Sequence, residues 1–89
     1  MDTQGALFEE RNRWREAAKV LARWVAHHGP RDVALRGIME FHDRAAGHDR
    51  AAQVGDVPGP HAHRLLAGAY REAARLLAEE LGVEEASHA

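Results

Sequence analysis

Residues 60–82 read PHAHRLLAGAYREAARLLAEELG, a segment with Pro at its start and Gly at its end. Pro is favoured in the first turn of a helix, and Gly is favoured just past the last turn. At about 100° per residue, the apolar side chains share one broad arc and the charged side chains share the opposite one. The segment is therefore predicted to be an amphipathic helix that buries one face. The apolar arc holds Leu65, Leu66, Ala69, Ala73, Leu76, Leu77 and Leu81.

Two further clusters of Gly and Pro divide the rest of the chain, at residues 28–30 and 55–60. Both residue types stop helices, so the segments between the clusters are predicted to be helical. The predicted organisation has helices over 6–28, 31–53 and 60–82, with tails over 1–5 and 83–89.

The composition also favours helices. Ala accounts for 18 residues and Arg for 11 of the 12 basic ones, and both are strong helix formers. Three segments of similar length with short connections predict a single all-α domain, an antiparallel three-helix bundle that homodimerisation could complete. The abundance of Ala and Arg suggests a GC-rich bacterial or phage genome.

The middle segment has the weaker apolar face. Its later half offers only Ala as apolar residues and contains Gly47. We therefore expect its end either to fray or to pack very closely on a neighbouring helix. The predicted apolar arc of this segment holds Leu35, Ile38, Met39, Phe41, Ala45 and Ala46.

Composition excludes several classes of protein. The chain has 89 residues, a formal net charge of −2 and no Cys, so a disulfide scaffold and a Cys-based zinc site are both excluded. No apolar run approaches the roughly 18 residues that span a bilayer, and the first residues lack the pattern of a signal peptide. We expect a cytoplasmic protein with no membrane partner. Few hydroxyl side chains and no glycine-rich phosphate loop are present, so we expect neither an enzyme nor a cofactor.

The apolar face of the first helix is wider than one helix contact needs, because Val20 and Trp24 extend its stripe. Either this face touches both other helices of the chain, or it binds a second copy or another protein. We predict the binding role, in a small protein-binding module such as an adaptor, inhibitor or accessory subunit, and we predict a homodimer. The predicted partner-binding residues are Trp24, Val20, Phe8, Arg23 and His42.

His42 is included because it lies on the apolar arc of the middle helix, with Asp49 on the same side two turns later. Glu10 and Glu80 also intrude on apolar arcs. If these four side chains meet, they form a buried polar layer that sets the register of the helices or the choice of partner.

The chain contains 7 His, a high number for its length. Imidazole and carboxylate groups near one end of the bundle would suit Zn or Ni. His61 and His63, however, lie about 200° apart on a helix, and no His-Glu-x-x-His motif is present. We favour surface histidines. The alternative is a metal- or ligand-binding bundle that holds Zn or Ni with His42, His48, His61 and His63.

Basic residues recur every fourth position along the first helix, a pattern typical of phosphate-binding helices. Glu residues interleave with them, the whole chain is slightly acidic, and no helix-turn-helix spacing is present. We therefore favour a solvated face or a surface that docks an acidic protein. Nucleic-acid binding is the second alternative, through Arg11, Arg15, Lys19 and Arg23.

Overall fold

The computed structural model describes residues 3–83, and the side chains of residues 9–83. The described chain forms three α-helices and no strand: α1 (Thr3–His27), α2 (Arg31–Val54) and α3 (Pro60–Leu81). The all-α prediction is confirmed, and α1 begins at Thr3 rather than at residue 6. Within residues 3–83, no helix is both long and apolar enough to cross a bilayer.

Gly residues end α2 and α3 as their positions in the sequence predict. Gly55 has φ 73° and Gly82 has φ 68°, in the left-handed region that L side chains rarely adopt. The backbone amide after each Gly donates a hydrogen bond to a carbonyl near the end of the helix. That carbonyl would otherwise have no backbone partner within the helix. These hydrogen bonds run from Asp56 to Ala51 at 3.0 Å and from Val83 to Ala78 at 2.9 Å.

The third helix lies between the other two. Both α1 and α2 pack along α3, whereas α1 and α2 contact each other little. Helices α1 and α3 run parallel, because His27 near the end of α1 lies 3.2 Å from Glu80 near the end of α3. Helix α2 runs antiparallel to both, and Arg31 at its start donates to the Leu81 carbonyl at 2.8 Å. The three-helix bundle is therefore open on the side where α1 faces α2.

Alanine supplies most of the buried core. Leu77 is the large side chain with 0% exposure, and Phe41 from α2 packs in the same cluster. Small side chains let helix axes approach closely, and they leave little bulk to bury. The buried alanines are Ala18 and Ala22 in α1, Ala34, Ala45 and Ala52 in α2, and Ala67, Ala73, Ala74 and Ala78 in α3.

Met39 was predicted for the apolar arc of the middle helix and is exposed instead, at 69%. The buried face of α2 follows Ala34 and Ala45, and Met39 lies roughly 140° around the helix from Ala34. The predicted arc of the middle helix was therefore too wide. Its buried face is a narrow one, as alanine packing allows.

All three helices contribute to the packing at Gly37. A Cβ atom there would lie 3.3 Å from both Leu77 Cδ2 and Val25 Cγ1, side chains of the other two helices. At Gly47 a Cβ atom would meet only the Arg50 guanidinium, at 3.9 Å. Helix α2 continues through Gly47 to Val54, so that glycine marks neither a frayed end nor a close contact between helices.

We predict that Gly37→Val destabilises the fold by about 1–3 kcal/mol, because the added methyl groups overpack a junction of three helices. Gly47→Ala is the matched control, and it should stabilise the fold by about 0.5–1 kcal/mol through helix propensity alone. Urea unfolding followed by circular dichroism measures both. Equal effects of the two substitutions would show that the helices do not meet at Gly37.

Candidate functional site

A cleft of 390 Å³ opens between the end of α1 and the start of α2. Trp24 forms one wall and is 58% exposed, while Val33 on the facing wall is 47% exposed. Val25 and Phe41 contribute apolar surface from the core side. We call this the docking cleft. Its lining residues are Trp24, Val25, His28, Gly29, Val33, Arg36, Gly37, Glu40 and Phe41.

The Trp24 indole is held in place by its neighbour one turn later. The His28 ring stacks on it with centroids 5.0 Å apart and planes inclined by 7°. His28 Nδ1 also donates to the Trp24 carbonyl at 3.0 Å, which fixes the orientation of the imidazole. An exposed indole stacked on a fixed ring has few rotamers to lose when a partner covers it.

The structure brings together two of the predicted partner-binding residues. Val20 is 68% exposed and lies one turn before Trp24 on the same side of α1. Arg23 points towards α3, where its Nε lies 3.8 Å from Glu80. His42 is half-buried on α2, about 100° around the helix from Phe41 and outside the docking cleft. The side chain of Phe8 lies outside the described residues.

Val33, Gly37 and Phe41 belong to the docking cleft, although they were not among the residues predicted to bind a partner. A signal for Val33 was present, because the short connection at Gly29 and Pro30 must place the first turn of α2 beside the last turn of α1. The positions of Gly37 and Phe41 in the cleft depend on how α2 crosses the core. Helical periodicity within one segment does not give that crossing.

Two histidines form a direct contact between α2 and α3. His48 Nδ1 lies 3.0 Å from His63 Nδ1. His63 is only 8% exposed, and its Nε2 donates to the Val57 carbonyl at 3.0 Å. His63 Nδ1 must therefore accept, and His48 must donate, when both rings are neutral. The His48 ring also stacks on Tyr70, with centroids 5.7 Å apart.

The four histidines proposed as metal ligands do not converge. His61 points to α1, where its Nε2 lies 3.7 Å from Glu10, while His63 faces His48 on α2. This divergence follows from their separation of about 200° on α3. Among the side chains of residues 9–83, no three His, Asp or Glu residues come close enough to hold a metal ion.

The carboxylates expected to join His42 in a polar layer lie in three separate places. Asp49 pairs with Arg71, Glu10 with His61, and Glu80 with His27. The predicted layer does not form.

The four basic residues of the α1 stripe differ in their contacts. Lys19 lies 3.2 Å from Glu16, and Arg23 contacts Glu80. Arg11 and Arg15 line a second cleft, which α1 forms with α3. Two of the four positive charges therefore lie beside carboxylates.

The chain matches no family model, and comparison with curated proteins and with solved structures finds no match.

We predict that His63→Ala destabilises the fold by about 1–3 kcal/mol, because it leaves a cavity and removes the partner of His48. His61→Ala is the matched control on the same helix, where the imidazole is exposed and lies 3.7 Å from Glu10. That substitution should change stability by less than about 0.5 kcal/mol. Urea unfolding measures both, and an equal loss would show that the histidine pair does not support the fold.

Proposed function

We propose that this chain is a small non-enzymatic protein-binding module that acts through the docking cleft. By class it would be an adaptor, an inhibitor or an accessory subunit, in the cytoplasm of a bacterial or phage-infected host. The observation that carries the proposal is the exposed indole of Trp24, 58% open to solvent beside an apolar cleft. Trp is the side chain most enriched among residues that dominate binding energy.

Exposed apolar residues lie on both sides of Trp24, and one of them lies beyond the cleft. Val20 lies along α1 and Val33 faces it from α2, with exposures of 68% and 47%. Single exposed apolar residues are normal on a protein surface, but a group that borders a cleft is typical of an interaction site. Arg36 and Glu40 at the rim supply charges of both signs, which suits a mixed polar border around an apolar centre.

The occupant we propose is the α1 helix of a second copy of this chain. A surface between two helices that barely touch is suited to an amphipathic helix laid along it. Helix α1 is itself such a helix, because it exposes Val20 and Trp24 one turn apart on its free side. A twofold axis can therefore place α1 of each copy against the docking cleft of the other, in a homodimer.

The two alternative functions have less support. A metal site would begin with His48 and His63, but two imidazoles are half of a tetrahedral ligand set for Zn or Ni. A nucleic-acid surface would use Arg11, Arg15, Lys19 and Arg23. Two of those four bases contact carboxylates, which weakens their attraction for a phosphate backbone.

Sedimentation equilibrium across the micromolar range tests the proposal. The wild-type chain should be a dimer, and Trp24→Ala should weaken the dimer by at least about thirtyfold, as expected for a residue that dominates an interface. The reason is that the indole is the largest apolar group that the contact would bury.

Met39→Ala is the matched control, because Met39 is a large apolar residue more than half exposed, as Trp24 is, but lies outside the docking cleft. It should leave the dimer unchanged, and circular dichroism should show that both variants fold. A wild-type monomer at ~100 µM, or equal weakening by the two substitutions, would rule out self-association through this cleft.

A further inference from the structure

A second cleft, of 370 Å³, lies between α1 and α3 and shares no residue with the docking cleft. Three arginines line it, Arg11 and Arg15 from α1 and Arg64 from α3. We call it the arginine cleft. The other lining residues are Trp14, His61, Leu65, Gly68, Ala69 and Glu72.

The three arginines of the cleft have no carboxylate within salt-bridge distance among the side chains of residues 9–83. Other bases of the described chain do have one, including Lys19, Arg23, Arg36, Arg71 and Arg75. Three guanidinium groups around one cleft repel each other unless an anion lies between them. Their arrangement therefore points to a negatively charged ligand.

Glu72 is the carboxylate that lines the arginine cleft. Its oxygens accept hydrogen bonds from Arg75, which lies on the same helix and outside the cleft lining. The hydrogen bond from Arg75 lowers the pKa of Glu72 below its ordinary value against the opposing effect of burial, and the charges of Arg75, Arg15 and Lys19 lower it further. Glu72 is thus ionised at neutral pH, and its charge is paired with Arg75 outside the cleft. The three arginines of the lining therefore leave the cleft with an excess of positive charge.

Apart from His61, the rest of the lining is apolar, and the cleft has free volume. Trp14 is half-buried, Leu65 and Ala69 lie beside it, and a Cβ atom built on Gly68 would meet nothing within 4 Å. A volume of 370 Å³ falls within the range of small-molecule sites, about 300–1,000 Å³. The cleft therefore combines an aromatic wall, an open floor and a group of cations.

We propose that the arginine cleft binds a small organic anion with a flat apolar body. The body would lie against Trp14 and Leu65, and its phosphate or carboxylate group would be held by Arg11, Arg15 and Arg64. Guanidinium groups suit both anions, because each can donate two parallel hydrogen bonds to one group. The site does not depend on the docking cleft, so dimerisation and anion binding can fail separately.

Isothermal titration of the full chain with 1-naphthyl phosphate tests the site. Binding should saturate at one ligand per chain and weaken as salt is added, because the charges attract across a solvent-exposed opening. The neutral analogue 1-naphthol should bind at least about tenfold more weakly, since it lacks the anionic group. Parallel titrations with 1-naphthoate and inorganic phosphate distinguish a carboxylate site from a phosphate site and measure what the aromatic body contributes.

Two variants with a matched control locate the binding. Arg64→Gln should weaken 1-naphthyl phosphate by about tenfold or more, and Gly68→Leu should block it by filling the floor. Arg13→Gln removes the same charge from an exposed position of α1 outside the cleft and should change affinity by less than about twofold.

Three results would overturn the proposal. They are no saturable binding of 1-naphthyl phosphate, equal affinity for 1-naphthol, and equal loss in the Arg64 and Arg13 variants. A fourth result would overturn the proposal in favour of an extended nucleic-acid surface. It is a single-stranded oligonucleotide that binds more tightly than 1-naphthyl phosphate and loses as much affinity in Lys19→Gln as in Arg64→Gln.

Discussion

The close packing of α3 between α1 and α2, through faces lined with alanine, sets the position of every other feature. Alanine loses no side-chain entropy on burial, and it lets helices approach until side chains such as Leu77 and Phe41 fill the remaining space. The apolar area gained per residue is small, so stability depends on many such contacts along α3. Gly37 follows the same principle, because a Cβ atom there would lie 3.3 Å from both Leu77 and Val25, and these side chains would have to move by a few tenths of an ångström.

A core of small residues leaves larger side chains for the surface. Val20, Trp24 and Met39 would be core residues in a bundle packed with leucine, yet here each is more than half exposed. Helix α1 packs one face on α3. The docking cleft lies between the end of α1 and the start of α2, and the arginine cleft lies between the first half of α1 and α3, so one packing arrangement produces both candidate surfaces.

The sequence was sufficient for the number, type and approximate ends of the helices, because Gly and Pro act locally on the backbone. Periodicity also separated His61 from His63, since rotation about one helix axis is fixed. It did not give the contact of His48 with His63, which depends on the register of α2 against α3. Periodicity also placed Met39 on the buried arc of α2, where it is in fact exposed. A hydropathy pattern does not show how narrow a helix contact becomes when alanines form it. The contact of Arg23 with Glu80 likewise depends on the position of α3, because the two residues are remote in sequence.

Amide hydrogen exchange of the isolated chain tests most directly whether α3 is the structural centre. Amides packed on two sides open only with the whole fold, whereas those of a helix with one neighbour can open separately. The slowest exchange should therefore lie in residues 73–78 of α3, around Leu77, and exchange in the first half of α1 should be faster. If the amides of α1 exchange as slowly as those of α3, or more slowly, α3 is not the central helix. The explanation given above for the two clefts would then be wrong as well.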